Sequence, residues 1–247
     1  MNNVVSRGIC LMTQFFIERQ VPDHHGWKHV IEVYNHAFNS LEEEKELDEN
    51  TKIAILLAAL CHENQDKKLF APNLEEPMSN TRVILEQLPI NKELYPLIYE
   101  LISLTSVSKR GLNKPTALDS WKFICSDADR IEALGEIGIR RCIEYTYDIN
   151  RPVVAPSTPL PQNEEELWRI ATLDRLQQFV NRGGTSDSAL DHFYDKLLHI
   201  HKMESGNPYL DRIALERHQV MVDFVLKLTN FIQTNRPPLP LMRLPEF

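Results

Sequence analysis

An all-α fold is predicted by three features of the chain. Apolar residues recur at spacings of three and four along most of its length. Glycine is scarce, at 8 residues in 247, and no run alternates apolar and polar side chains as a half-buried strand would. Hydrophobic residues make up 43% and charged residues 25%, a globular balance and not a disordered one. The length is enough to bury a sizeable core without covalent staples.

Helices are expected in the following order. The first covers residues 4–19 and closes before Pro22. The second, over 26–44, carries Trp27, Val30, Val33, Tyr34, Ala37 and Phe38 on one stripe. Asn50 and Thr51 are candidate caps for a third, whose run IAILLAALC (53–61) is apolar all round and implies burial on every side. Further helices are expected over 79–88, 92–104 and 116–134. Gly135 and Gly138, in LGEIGI, permit close helix approach before a helix over 137–147. Pro152, Pro156, Pro159 and Pro161 make 150–162 a loop and a candidate lid. Helices resume over 164–180, 188–203 and 210–233, and the prolines beyond them give an extended tail over 234–247.

The net charge of −8 argues against a general nucleic-acid binder or a protein of anionic membrane surfaces. The longest apolar stretch, 53–61, falls far short of the roughly 20 residues of a membrane helix. The first residues, MNNVVSRGICLMTQFF, lack the cleavage pattern of a signal peptide. Cys10, Cys61, Cys125 and Cys142 sit singly in apolar helical patterns with no CxxC pair. Buried reduced thiols and a cytoplasmic location are the expectation.

Chemistry-bearing residues gather in three places. His25 and His29 are four apart. His62 and Glu63 end the apolar third helix, with Asp66 one turn on and Lys68 after it. Asp127 and Asp129 lie in CSDADRIEALG. Charged groups at the end of an all-apolar helix are solvated, paired or bound to a metal, because an isolated buried charge is too costly. Imidazole with carboxylate suits Mn, Fe, Co, Ni or Zn. A lone histidine of this kind is ordinarily a packed residue, and a DADR cluster ordinarily a solvated face. Three such clusters in this order carry more weight.

The order His29, then His62-Glu63, then Asp129 resembles the H…HD…D signature of the HD-domain metal-dependent phosphohydrolase superfamily. The segments DHHGWKHVIEV, AALCHENQDKKLF, SDADRIEALGEIGIRR, HFYDKLL (192–198) and ERHQVMVDFVLKL (216–228) are similar to the branch containing bacterial nucleotide pyrophosphatases. The resemblance runs from about residue 21 to 231, apart from the Pro-rich stretch. It implies one HD-type helical bundle over 1–247, with a metal-site core at about 21–147, the Pro-rich loop over 150–162, C-terminal helices over 164–233 and the tail beyond.

It also implies a divalent ion (Mn, Fe, Co, Ni, Zn or Mg) held by His29, His62, Glu63 and Asp129, with Glu63 standing where the superfamily has Asp. Asp66 would orient or deprotonate a metal-bound water. Lys68 and Arg130, with Lys109, Arg110 and His25, are candidates for contacting phosphate, and Asp127 for orienting a ligand. The implied substrate is a small-molecule nucleotide or phosphate ester. The alternatives are a catalytically degenerate scaffold that binds a nucleotide or protein partner, and a phosphodiesterase or (p)ppGpp-type hydrolase. His192, His199, His201 and His218 are read as core or surface residues, His218 being the one expected nearest the pocket.

Overall fold

The structure is a computed structural model and describes residues 2–21, 26–65, 78–105, 117–202 and 204–235. Those residues are helical with irregular connections and contain no strand, as the periodicity predicts. The chain divides into two compact units, Met1–Glu132 with Glu204–Arg212, and Ala133–Met203 with Ile213–Phe247. No described helix is long and apolar enough to cross a membrane.

The first unit contains α1 (Asn2–Arg19), α2 (Trp27–Ser40), α3 (Glu49–Cys61), α4 (Ser79–Leu85), α5 (Tyr95–Ser103) and α6 (Ile124–Ile131). α3 lies at its centre, because all nine residues from Ile53 to Cys61 are buried. Each buried Leu or Ile there contributes about 1.5–3 kcal/mol of transfer free energy. Its cap is Asp48, not Asn50 or Thr51. Asp48 Oδ1 accepts from the backbone N–H of Asn50 at 2.8 Å and of Thr51 at 3.1 Å, and the Thr51 hydroxyl donates back to Oδ2 at 2.6 Å. α1 lies against α3 at Gly8, where an added Cβ would stand 3.1 Å from Leu57 Cδ2. Cys61 and Cys125 are buried and Cys142 is half-buried, but Cys10 is exposed, contrary to expectation; all four are free.

The second unit contains α7 (Gly135–Asp148), α8 (Glu164–Ile170), α9 (Leu173–Asn181), α10 (Ala189–Asp195) and most of α11 (Pro208–Asn235). Gly135 and Gly138 serve the turn into α7. Gly135 takes φ +70°, and a Cβ on Gly138 would fall 2.2 Å from the Ala133 carbonyl oxygen. The helix expected over 164–180 is two helices, because Thr172 caps α9 by accepting from the backbone N–H of Arg175 at 3.3 Å. That expected over 188–203 becomes α10 and a 3-10 turn, Leu197–Lys202.

The Pro-rich stretch is irregular, as predicted, but it is tied down. Val153 and Val154 are buried. The Pro152 and Val153 carbonyls accept from the backbone of Ala189 and Leu190, and those of Pro159 and Pro161 accept the hydroxyls of Tyr194 and Thr229. The extended tail expected beyond residue 235 lies outside the described residues.

Candidate metal centre

Three helices of the first unit bring their chemistry-bearing residues to one place. α2 buries Val30, Val33 and Ala37 along one stripe, and His29 shares that buried side. At Cys61 the α3 helix tightens into a 3-10 turn, His62–Gln65, whose first two residues are His62 and Glu63. α6 supplies Asp129 from the CSDADRI stretch.

His29, His62, Glu63 and Asp129 each offer one ligand atom, and these four atoms lie within 4.8 Å of one another. His29 Nε2 stands 3.3 Å from His62 Nε2, 3.3 Å from Glu63 Oε1 and 3.2 Å from Asp129 Oδ1. His62 Nε2 is 3.8 Å from both carboxylates. Bonds of about 2.0–2.2 Å to nitrogen and oxygen place neighbouring ligands of a divalent ion roughly 3.0–3.6 Å apart, so the spacing fits one ion with little adjustment.

The hydrogen bonding of the donor set points the same way. His62 Nδ1 lies 2.8 Å from the Ala59 carbonyl oxygen, an acceptor, so Nδ1 carries the hydrogen and Nε2 of the neutral ring presents its lone pair to the cluster. Burial pushes the His62 pKa down, against the opposing pull of Glu63 and Asp129, which keeps that lone pair available. At Asp129, burial acts to raise the carboxyl, but the hydrogen bond with His29 and the neighbouring imidazoles outweigh it. The group is held below the usual carboxylate range. Two carboxylates and two imidazoles, all buried but Asp129, thus converge in an arrangement that could hold a divalent cation.

Of the other site residues named from sequence, only some are among the described residues. Arg130 is buried and pairs with Asp127, with Nη1 to Oδ1 at 3.7 Å. His25, Asp66, Lys68, Lys109 and Arg110 lie outside the described residues. In the second unit, His218 stacks on His201 with centroids 3.5 Å apart and adjoins Trp168, while His199 Nε2 donates to the Tyr194 carbonyl. His192 packs on Phe179.

Sequence reasoning passed over a second histidine–carboxylate pair in the first unit. His36 on α2 and Glu132 at the end of α6 are both buried and meet at 3.2 Å. The spacing that could have revealed them is His36 seven residues after His29 and Glu132 three after Asp129.

No protein-family model matches the chain. It is 36% identical over 217 residues to the uncharacterized protein L803 of Acanthamoeba polyphaga mimivirus, covering 82% of this chain and 87% of that one. Among solved structures, an HD-superfamily hydrolase from Bacillus thuringiensis aligns with a TM-score of 0.64 at 22% identity, over 96% of this chain and 99% of its own. Bacillus subtilis YpgQ aligns with a TM-score of 0.63 at 20% identity, over 93% of this chain and 97% of its own. YpgQ in complex with ADP aligns with a TM-score of 0.60 at 20% identity, over 96% and 98%. At these identities the likeness to the solved structures is one of fold.

Proposed function

The chain belongs to one family with the mimivirus protein L803 and shares the fold of an HD-superfamily hydrolase, and we propose that it is itself an HD-type, divalent-metal-dependent phosphohydrolase acting on a nucleotide. The observation that carries this reading is the convergence of His29, His62, Glu63 and Asp129 within 4.8 Å, with the His62 lone pair turned inward. A divalent ion held by these four residues would supply Lewis acidity toward a phosphoryl oxygen and water.

The chain's own residues hold and orient. His29 and His62 give neutral nitrogen, and Glu63 and Asp129 give charge. The Ala59 carbonyl fixes the His62 tautomer. In this reading Asp66 orients or deprotonates the attacking water. Lys68 and Arg130, with Lys109 and His25, meet charge building on the phosphorus. Asp127 holds the Arg130 guanidinium at 3.7 Å and so sets its direction. A nucleotide is favoured because YpgQ, of the same fold, has been solved with ADP. Glu63 itself weighs against a degenerate scaffold: its extra methylene still brings Oε1 to 3.3 Å from His29 Nε2.

The test is product analysis over nucleoside tri- and diphosphates, cyclic nucleotides and (p)ppGpp at saturating Mn²⁺. Release of phosphate or pyrophosphate from a nucleotide is expected. Asp66→Asn is expected to cut turnover about 100-fold or more while leaving Mn²⁺ affinity unchanged. No release from any compound, by protein shown to hold Mn²⁺, would turn the reading to a binding scaffold.

A further inference from the structure

The pair that lies behind the metal centre repeats its geometry. His29 on α2 faces Asp129 on α6 at 3.2 Å, and two turns further along α2, His36 faces Glu132 at the end of α6, again at 3.2 Å. The same two helices are therefore joined twice, once by residues that converge on the candidate site and once by residues that do not reach it. The second junction is the better enclosed: the Glu132 side chain is 1% exposed, against 29% for Asp129.

Hydrogen bonds run outward from both ring nitrogens of His36. Glu132 as a carboxylate only accepts, so His36 Nε2 donates to it. His36 Nδ1 lies 3.0 Å from the Tyr209 hydroxyl, whose oxygen accepts from Asn39 Nδ2 at 3.2 Å. Asn39, Tyr209, His36 and Glu132 thus form one continuous relay of hydrogen bonds. Tyr209 enters from α11, near its N-terminal end, and that end is anchored independently. Asn207 Nδ2 donates to the Ser40 carbonyl at 3.0 Å and to Glu44 Oε1 at 3.0 Å, and the Ser205 hydroxyl donates to Asp211 at 2.7 Å. The relay is therefore built on a fixed post.

We propose that His36, Glu132 and Tyr209 are positioning residues for the metal centre. They lock the register and separation of α2 against α6 so that His29 Nε2 and Asp129 Oδ1 stand at bonding distance from one ion. The inference rests on the metal reading above. It follows from how helices move: a slide or roll of α2 on α6 displaces both junctions together. A bond between rigid, enclosed side chains two turns away opposes that motion without touching the ion.

Cobalt(II) alone is the probe, titrated into the full chain, with its affinity and visible d–d bands as readouts. His36→Leu removes the relay and is expected to weaken Co²⁺ binding about tenfold or more and to displace the bands. His36→Gln, whose amide nitrogen can still donate to Glu132, is expected to restore both, a rescue that loss of packing alone would not give. Co²⁺ affinity and bands in His36→Leu equal to wild type overturn the relay and leave the metal reading standing. A wild-type protein that binds no Co²⁺ overturns the metal reading and the relay with it. If His36→Leu does not fold, Tyr209→Phe decides: it removes one hydroxyl, is expected to shift the bands and weaken binding about threefold, and overturns the relay if both match wild type.

Discussion

Two constellations of buried charge among the described residues, one from each unit, solve the same electrostatic problem differently. In the second unit, Asp191 and Asp195 are one turn apart on α10, and Arg175 places Nη2 on the first and Nε on the second. The remaining oxygens are also used: Ser188 and Thr158 hydroxyls donate to Asp191 at 2.6 Å each, and the Ser186 hydroxyl donates to Asp195 at 2.6 Å. Burial works against the Arg175 charge, but its bonds to Asp195 and then Asp191 outweigh that and raise its pKa. The knot carries its own cation and is complete. The first-unit cluster has the same number of carboxylates with two imidazoles beside them, and one ligand atom from each of its four residues lies within 4.8 Å of the others. One constellation is a lock closed on an arginine, and the other is a socket that could hold an ion.

The comparison can be broken most forcefully at the lock. Arg175→Met leaves two buried carboxylates without a cation and is expected to destabilise the protein by about 3 kcal/mol in urea unfolding. A change below about 0.5 kcal/mol would mean that solvent, and not Arg175, neutralises the pair. The socket should respond to added ion instead. Mn²⁺ or Zn²⁺ at about 100 times its dissociation constant is expected to stabilise wild type by about 2.7 kcal/mol. His29→Ala and Glu63→Ala are expected to abolish that gain, Glu63→Asp to keep it, and Asp191→Asn to leave it untouched. A melting temperature indifferent to Mn²⁺, Co²⁺, Ni²⁺ and Zn²⁺ would erase the distinction between the two constellations.

The smallest expected effect concerns protons. Burial, then His201, Lys202 and His199, push His218 down from 6.5 to about 4. The unfolded chain then binds more protons than the folded one between about pH 4 and 6.5. Stability is full above pH 6.5 and is lost as pH falls through that window. His218→Phe is expected to reduce the slope of stability against pH there by up to one proton, as read from melts at pH 7 and 5. An unchanged slope would show that the ring stack titrates no differently from the open chain.

Helices were legible where a single residue type repeats on one face. The helices expected over 26–44 and around 53–61 are both present within a few residues of their expected ends, although of the expected stripe on the first only Val30, Val33 and Ala37 are buried and Phe38 is exposed. Ends were harder. Asp48 outcompeted Asn50 and Thr51 as a cap because a carboxylate accepts two N–H bonds and a hydroxyl together, which no propensity scale weighs. Thr172 broke a continuous apolar pattern with a single bond, its hydroxyl accepting the backbone N–H of Arg175.

At the site, the four side chains that converge are the ones whose order carried the family resemblance, since ligand spacing is written into helix ends. The His36 pair was passed over, because its two halves are 96 positions apart and only their spacing from His29 and Asp129 links them. The Pro-rich stretch read as open loop because prolines remove donors. Its carbonyls, which proline keeps, are what hold it down.

α3 gives the candidate centre a particular kinetic character. Its residues 53–61 have no face toward water, so their amide protons exchange only through opening of the surrounding unit, the slowest and costliest fluctuation that unit has. His62 and Glu63 are therefore mounted on the last part of the unit to let go. α2, which holds His29, keeps a solvent-facing side at Lys28, Phe38 and Asn39, whereas α6, which holds Asp129, is buried at every residue but Asp129 itself. Residence of an ion at this site would then be set by α2, with His29 parting while the other three side chains stand still.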